Sequence, residues 1–197
     1  MTTPARRQYL EIKRRFPDAI VLYRYGDFYE MFDEDAKVGA EVLRIALTSR
    51  EFGKGNRVPM AGIPHHALEH YLSRFLERGY KVAICEQLSE PGRGLVERDV
   101  VRVVTPGTVM EPSLLPEQES RFLAAVFGGE GGWGLAMADV STGEFLLAQF
   151  QGPDARQELV QELERMRPAE VLMPQGHEPP LQGPCITALE PSAFDIH

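Results

Sequence analysis

The sequence predicts an α/β protein in two parts: a mixed-sheet domain over residues 1–112, then an incomplete second α/β module over residues 113–197. Three observations carry this. Strand-like apolar runs alternate with helical periodicity up to about residue 110. Two prolines and several acids interrupt the pattern between Glu111 and Glu119. Charge changes at the same place, with 17 Lys and Arg against 16 Asp and Glu in residues 1–115, then 4 against 13 in residues 116–197.

Taken in order, Thr3-Pro4 has the form of an N-cap and first helical residue, opening a helix to about Phe16 that stops at Pro17. Ala19 to Tyr25 is β-branched and aromatic, a strand broken at Gly26. Asp27 to Leu43 carries apolar residues at helical spacing and is expected as one helix. Ile45 to Thr48 is a short strand, and Ser49 to Arg57 a polar loop holding Arg50, Lys54 and Arg57. Val58 to Pro64 precedes a helix from His65 to about Arg78, with Gly79 as its C′ residue. Lys81 to Leu88 is a buried strand; a Pro/Gly loop from Ser89 to Gly94 leads to a last strand, Arg98 to Thr105. That gives five strands and three helices in the first part.

In the second part, Arg121 to Phe127, Trp133 to Val140 and Glu144 to Phe150 are three strands joined by Gly-containing turns, an antiparallel meander. Asp154 to Met166 is an amphipathic helix and Glu170 to Met173 a fourth strand. The proline-rich remainder shows no further helix. A β-β-β-α-β opening that stops there reads as part of a larger whole.

Bulk properties narrow the function. The 43% hydrophobic and 25% charged content is that of globular protein rather than disordered chain. No apolar run approaches the roughly 18–20 residues of a membrane span, and the N-terminus has no signal-peptide pattern. Cys85 and Cys185 form no C-x-x-C pair and suit two buried thiols in a reducing compartment. The net charge of −8 opposes nucleic-acid binding by the whole chain, but the first part alone is near neutral, which permits it.

Several motifs meet simpler explanations. Gly129-x-Gly131-x-x-Gly134 matches a dinucleotide fingerprint in letters, yet a strand follows it where the fingerprint needs a helix. His66 and His70 stand at the i, i+4 spacing of zinc helices without an evident third ligand. Asp139 and Glu144 could begin a metal-dependent nuclease centre, but such chemistry needs three or four converging carboxylates. Structural roles are the expectation for all of these.

The aromatic cluster Tyr23, Tyr25, Phe28, Tyr29 and Phe32 is open to two readings. Phe28 and Phe32 are i, i+4 and could both be core, while Asp27 and Glu30 have the spacing of a capping box. Alternatively, Phe28 projects from a turn with Glu30 beside it, which requires extended backbone, because i and i+2 share a face there and not in a helix.

Ordered blocks favour the second reading. Tyr23-Arg24-Tyr25-Gly26-Asp27-Phe28-Tyr29-Glu30-Met31-Phe32 resembles the signature of the mismatch-recognition domain of the MutS family, with Phe28-Tyr29-Glu30 as its Phe-x-Glu motif. Pro59-Met60-Ala61-Gly62-Ile63-Pro64-His65-His66, Val82-Ala83-Ile84-Cys85-Glu86-Gln87, Val96-Glu97-Arg98 and Val103-Val104-Thr105-Pro106-Gly107-Thr108 follow in order. Met137 to Phe145 looks like the start of the family's connector domain, which is ribonuclease H-like without nuclease activity.

The resemblance implies mismatched-DNA binding, with Phe28 inserted from the minor groove and Glu30 contacting the base. Arg50, Lys54 and Arg57 are then candidates for phosphate contacts, as are Arg98 and Arg102, with Tyr25 alongside. Pro59, Met60, Ala61 and Gly62 are candidates for approach to the minor groove. The resemblance also implies a full-length dimer that binds ATP and magnesium in a P-loop domain and engages MutL, in the bacterial cytoplasm at the nucleoid. This sequence has no G-x-x-x-x-G-K-[ST], so no catalysis, cofactor or metal is expected of it, and by itself it is expected to be monomeric.

Overall fold

The computed structural model describes residues 3–89, 95–109, 121–129, 131–180 and 185–195. The chain divides into two compact units, residues 1–104 and 105–197. The interrupted stretch Glu111 to Glu119 lies outside the described residues.

The first unit is built on a six-stranded mixed sheet of order β3-β4-β2-β1-β5-β6. Helix α1 (Pro4–Arg15) is capped by the Thr3 side chain, which accepts from the Arg6 N–H. It leads into β1 (Ala19–Tyr25) and β2 (Phe28–Phe32), followed by α2 (Asp33–Leu43). Strands β3 (Thr48–Glu51) and β4 (Arg57–Pro64) form a hairpin. Helix α3 (Leu68–Glu77) then precedes β5 (Lys81–Gln87) and β6 (Arg98–Val104). At the end of α3, the Gly79 N–H reaches the Leu76 carbonyl and the Tyr80 N–H reaches that of Phe75. This is a Schellman closure, and Gly79 takes the φ of +80° that it requires.

Two expectations fail in instructive ways. Asp27 to Leu43 is not one helix: Phe28–Phe32 is a strand, and the helix begins at Asp33. Gly26 and Asp27 are the two central residues of a tight hairpin in which Tyr25 faces Phe28. Gly26 sits at φ +61°, the positive value such turns need at the first central position. Asp27 and Glu30 therefore form no capping box; Asp33, Glu34 and Asp35 supply the acids of the helix's first turn. Likewise, the polar stretch Ser49 to Arg57 is the β3–β4 hairpin rather than a loop, and the strand expected at Ile45 to Thr48 begins only at Thr48. The described first unit thus has six strands, not five.

The sheet is covered on both faces. On one, α1 packs Tyr9 and Ile12 against Val21, Tyr23, Phe32, Phe52, Val58, Ala83 and Cys85. The Tyr9, Phe32 and Phe52 rings meet edge to face at 5.0 and 5.1 Å. On the other, α2 lies over β2 and β4, and α3 over β5. Gly39 lets α2 approach, because a Cβ there would collide with the Met31 thioether. The buried Asp35 ties layers together, accepting from Lys13 Nζ at 2.8 Å and from the Val21 N–H at 3.0 Å.

The second unit has a five-stranded sheet of order β11-β10-β7-β8-β9. Strands β7 (Phe122–Gly129), β8 (Gly132–Asp139) and β9 (Glu144–Phe150) make the expected antiparallel meander. Helix α4 (Ala155–Met166) packs Leu159 and Leu163 against Phe122, Val126, Leu135 and Met137. It leads to β10 (Glu170–Pro174), parallel to β7. A further strand, β11 (Cys185–Leu189), parallel to β10, and a short 3₁₀ turn at Pro191–Phe194 lie in the tail, for which the sequence predicted only that no further helix follows. Both cysteines are buried and unbridged. No helix among the described residues is long and apolar enough to cross a membrane.

Candidate functional site

Alternation along the strands decides which candidates meet. Tyr25, Phe28 and Glu30 share the α1 face of the sheet, as i, i+2 residues and cross-strand neighbours must. Gly62 stands opposite Glu30 on β4, and Met60 opposite Phe32. Arg50 joins this face from β3, opposite Val58. These residues form a surface at the β1–β2 hairpin, beside the start of α1. Arg57, Pro59 and Ala61 alternate to the other face, and Ala61 is fully buried. Lys54 is exposed in the turn between β3 and β4. Arg102 lies on β6, opposite Ile84.

The hairpin tip is held from both sides. The Gly26 N–H donates to Gln87 Oε1 at 3.0 Å, and the His65 N–H donates to the Asp27 carbonyl at 2.9 Å. On this fixed turn the Phe28 ring is 48% exposed, whereas Tyr29 and Phe32 in the same strand are 3% and 0% exposed. Exposure of a large ring next to buried ones costs hydrophobic free energy of roughly 1–2 kcal/mol, which folding alone gives no reason to accept. Gly26, Gln87 and His65 hold the ring in place through backbone contacts that no local pattern revealed; Gln87 and His65 fall inside the ordered blocks, the one signal that pointed to them.

Glu30 is 8% exposed and ion-paired with Arg50, whose Nη1 donates to both carboxylate oxygens. Burial pushes the Glu30 carboxyl above the ordinary carboxylate range, against the pull of Arg50 and, further off, of Arg98. The Arg50 guanidinium also lies 3.8 Å from the centre of the Tyr25 ring. Arg98 is itself buried, 5.1 Å from the centres of both the Tyr23 and Tyr25 rings, and donates to the Arg24 carbonyl at 2.7 Å and the Val96 carbonyl at 3.0 Å. It props the aromatic pair from below. On the opposite face the Tyr29 hydroxyl is bonded to Glu86, and burial together with that carboxylate pushes its pKa up to about 12.

The simpler explanations of the remaining motifs agree with the geometry. Asp139 is 1% exposed, and its carboxylate accepts from the N–H groups of Arg121, Ser141 and Thr142 and from the Ser141 hydroxyl. Those donors hold it below the ordinary carboxylate range. It ties the β8–β9 turn, with Glu144 exposed across from it. His65, His66 and His70 gather no further ligand, and no group of three or more metal-binding side chains occurs among the described residues. Gly129 pairs with Gly132 in a β-hairpin.

Comparison with known proteins agrees with this layout. The sequence profile described as MutS domain I matches residues 3–113, and that of MutS domain II matches residues 121–193. The chain is 54% identical over 177 residues to the DNA mismatch repair protein MutS of Dehalococcoides mccartyi (strain CBDB1), which covers 89% of this chain and 20% of that protein. It is 53% identical over 187 residues to the protein of the same name from Symbiobacterium thermophilum, covering 92% and 21%. With that of Methanosarcina mazei it shares 48% identity over 188 residues, covering 88% and 21%. The chain therefore spans about a fifth of the length of these relatives.

Proposed function

The chain belongs to the MutS family of DNA mismatch-repair proteins, as its domains I and II, and on that premise we propose that its first unit reads mispaired and unpaired bases by inserting Phe28 from the minor groove. A half-exposed ring on a rigid hairpin, with a carboxyl group on the same face, is the observation that supports this most strongly.

A mispaired base stacks and pairs poorly, so the duplex kinks there at lower cost than at a matched site. Wedging an aromatic side chain between base steps costs a few kcal/mol of unstacking, part of which the defect has already lost. The ring offers a π-face indifferent to base identity, as a reader of many mispairs needs. Glu30 then sets selectivity. A carboxylate beside phosphates is repelled; in neutral form it donates a hydrogen bond to a base nitrogen, and in ionised form it disfavours matched DNA. Its burial, which favours the neutral form, supports the first route. Lys54, exposed at the β3–β4 turn, contributes phosphate contacts, while Met60 and Gly62 approach the groove.

The wider activity belongs to a longer polypeptide: a dimer that binds ATP with magnesium through a P-loop domain, engages MutL and works in the cytoplasm. Residues 1–112 are the recognition domain and 113–197 the beginning of the connector, which serves as a docking and relay module without catalysis.

The test is a fluorescence-anisotropy titration of this chain with labelled G·T and matched duplexes. Wild type is expected to prefer the G·T duplex and Phe28→Ala to bind both alike, since one base–aromatic stack is worth about 1–3 kcal/mol. An unchanged preference in Phe28→Ala would remove Phe28 from the site. A magnesium-dependent cleavage of the duplex, abolished by Asp139→Asn, would instead favour a nuclease.

A further inference from the structure

The geometry points to Arg50 as a specificity-setting residue that keeps Glu30 paired until Arg50 itself captures a DNA phosphate. This rests on the reading of Phe28 and Glu30 just given and assigns the control of Glu30 to a second side chain.

The contacts make Arg50 a shared element. Its Nη1 alone serves both Glu30 oxygens. Nε and Nη2 donate to no acceptor among the described residues, so two donor groups of a fork suited to phosphate remain. Its side chain is 26% exposed, against 11% for Glu30, so the arginine is the more accessible member of the pair. It borders an open cleft of about 350 Å³ shared with Tyr25, Glu51, Phe52, Leu95 and the residues at the start of α1. A phosphate entering there meets the more exposed arginine before the carboxylate behind it. The Arg50 guanidinium carbon lies 3.8 Å from the centre of the Tyr25 ring, a contact that favours a change of acceptor within the site.

Glu30, by contrast, has little other support. Tyr23 faces it from β1 and Gly62 from β4, neither carrying a charge, and Arg98 acts on it only at longer range. A Cβ at Gly62 would lie 3.7 Å from Glu30 Cγ and 3.9 Å from Met60 Sδ, so that side of Glu30 is lined by backbone and a thioether, neither carrying a charge. Once Arg50 turns to a phosphate, Glu30 is a half-desolvated carboxylate without a counter-ion, and taking up a proton relieves it. The backbone must therefore come close before the carboxyl group becomes a donor to a base. Matched DNA, which resists the kink, does not bring its phosphates to the cleft at low cost. Arg50 and Glu30 thus gate one another: Arg50 acts through Glu30 as a positioning residue.

A double-mutant cycle on this chain separates the proposal from an ordinary phosphate contact. The readout is the ratio of dissociation constants for matched and G·T duplexes. Arg50→Ala is expected to lower that ratio by about fivefold, the lower end of typical coupling between sites. In a Glu30→Gln background Arg50→Ala should leave the ratio unchanged, whereas with Glu30 in place Arg50→Lys should keep part of the ratio that Arg50→Ala loses. If Arg50→Ala weakens both duplexes equally in both backgrounds, Arg50 is a phosphate contact only and the proposal fails while the reading of Phe28 and Glu30 stands. If wild type shows no preference for G·T, that reading fails and the proposal with it. A DNA-free arm guards against misfolding: carboxyl NMR of Glu30 should show its titration moved to higher pH in folded Arg50→Ala than in wild type. An unmoved midpoint there would show that Arg50 does not govern Glu30, and would also overturn the proposal.

Discussion

Glu30 and Asp139 are both buried carboxylates, one in each unit, and they are buried in opposite ways. Asp139 is surrounded by four donors, three of them backbone N–H groups within its own turn or next to its sheet partner. That environment favours the ionised form and fixes it in one place. Glu30 hangs on one arginine side chain that is itself partly exposed, and burial works against its charge. The first arrangement is stable by construction, the second by a single exchangeable contact. A carboxylate that folding needs is satisfied locally and redundantly; Glu30, which we propose meets a base, is left short of partners.

The largest expected effect breaks the structural member of the pair. Asp139→Asn should destabilise the second unit by about 2 kcal/mol, the difference expected when charge-assisted bonds become neutral and one amide faces donors. Trp133 is the only tryptophan and lies in β8, so its fluorescence during urea unfolding reports that unit. The sign with pH follows from the lowered pKa. The stabilising contribution of Asp139 is fully present above the unfolded value near 3.8 and is lost as pH falls through the lower folded value. Wild type and variant should therefore converge once the pH has fallen below that folded value.

A smaller effect is expected at Glu30. Glu30→Gln removes a like charge near phosphate, worth about 1 kcal/mol at 4 Å in water. Matched-duplex affinity should rise by up to about fivefold, with a smaller loss or none on G·T. Anisotropy titration checks this, and strongly weakened binding to matched DNA would contradict it. Smallest is Lys54→Ala, which should reduce the slope of log affinity against log salt by about one and leave the matched-to-G·T ratio unaltered. An unchanged salt slope rules Lys54 out as a phosphate contact.

How much of this was legible in sequence follows from the range of the interactions. Ala19–Tyr25 and Glu144–Phe150 were read to the residue, because β-branched and aromatic composition with flanking turn residues is local information. Phe28–Phe32 was not. Its helical spacing and the Asp27/Glu30 pair imitate a helix start, and only pairing with both β1 and β4 makes it a strand. Cys185–Leu189 was missed because prolines surround it and its partner is β10. At the site, the ordered family blocks named Phe28 and Glu30. The Glu30–Arg50 pair spans 20 residues and two strands of a fold that had to exist first, so Arg50 was expected at a phosphate rather than at a carboxylate. Arg98 was expected on the surface for the same reason and is buried under Tyr23 and Tyr25.

The contrast between the two carboxylates is tested most directly by taking Glu30→Gln and Asp139→Asn through the same pair of measurements, urea stability at pH 7 and the ratio of matched to G·T dissociation constants. Asp139→Asn is expected to lose about 2 kcal/mol of stability and keep the wild-type ratio wherever it is folded, while Glu30→Gln keeps its stability to within about 1 kcal/mol and loses discrimination. The reverse pattern, a Glu30→Gln protein that unfolds readily yet discriminates as wild type does, would contradict the assignment of Glu30 to mismatch selectivity.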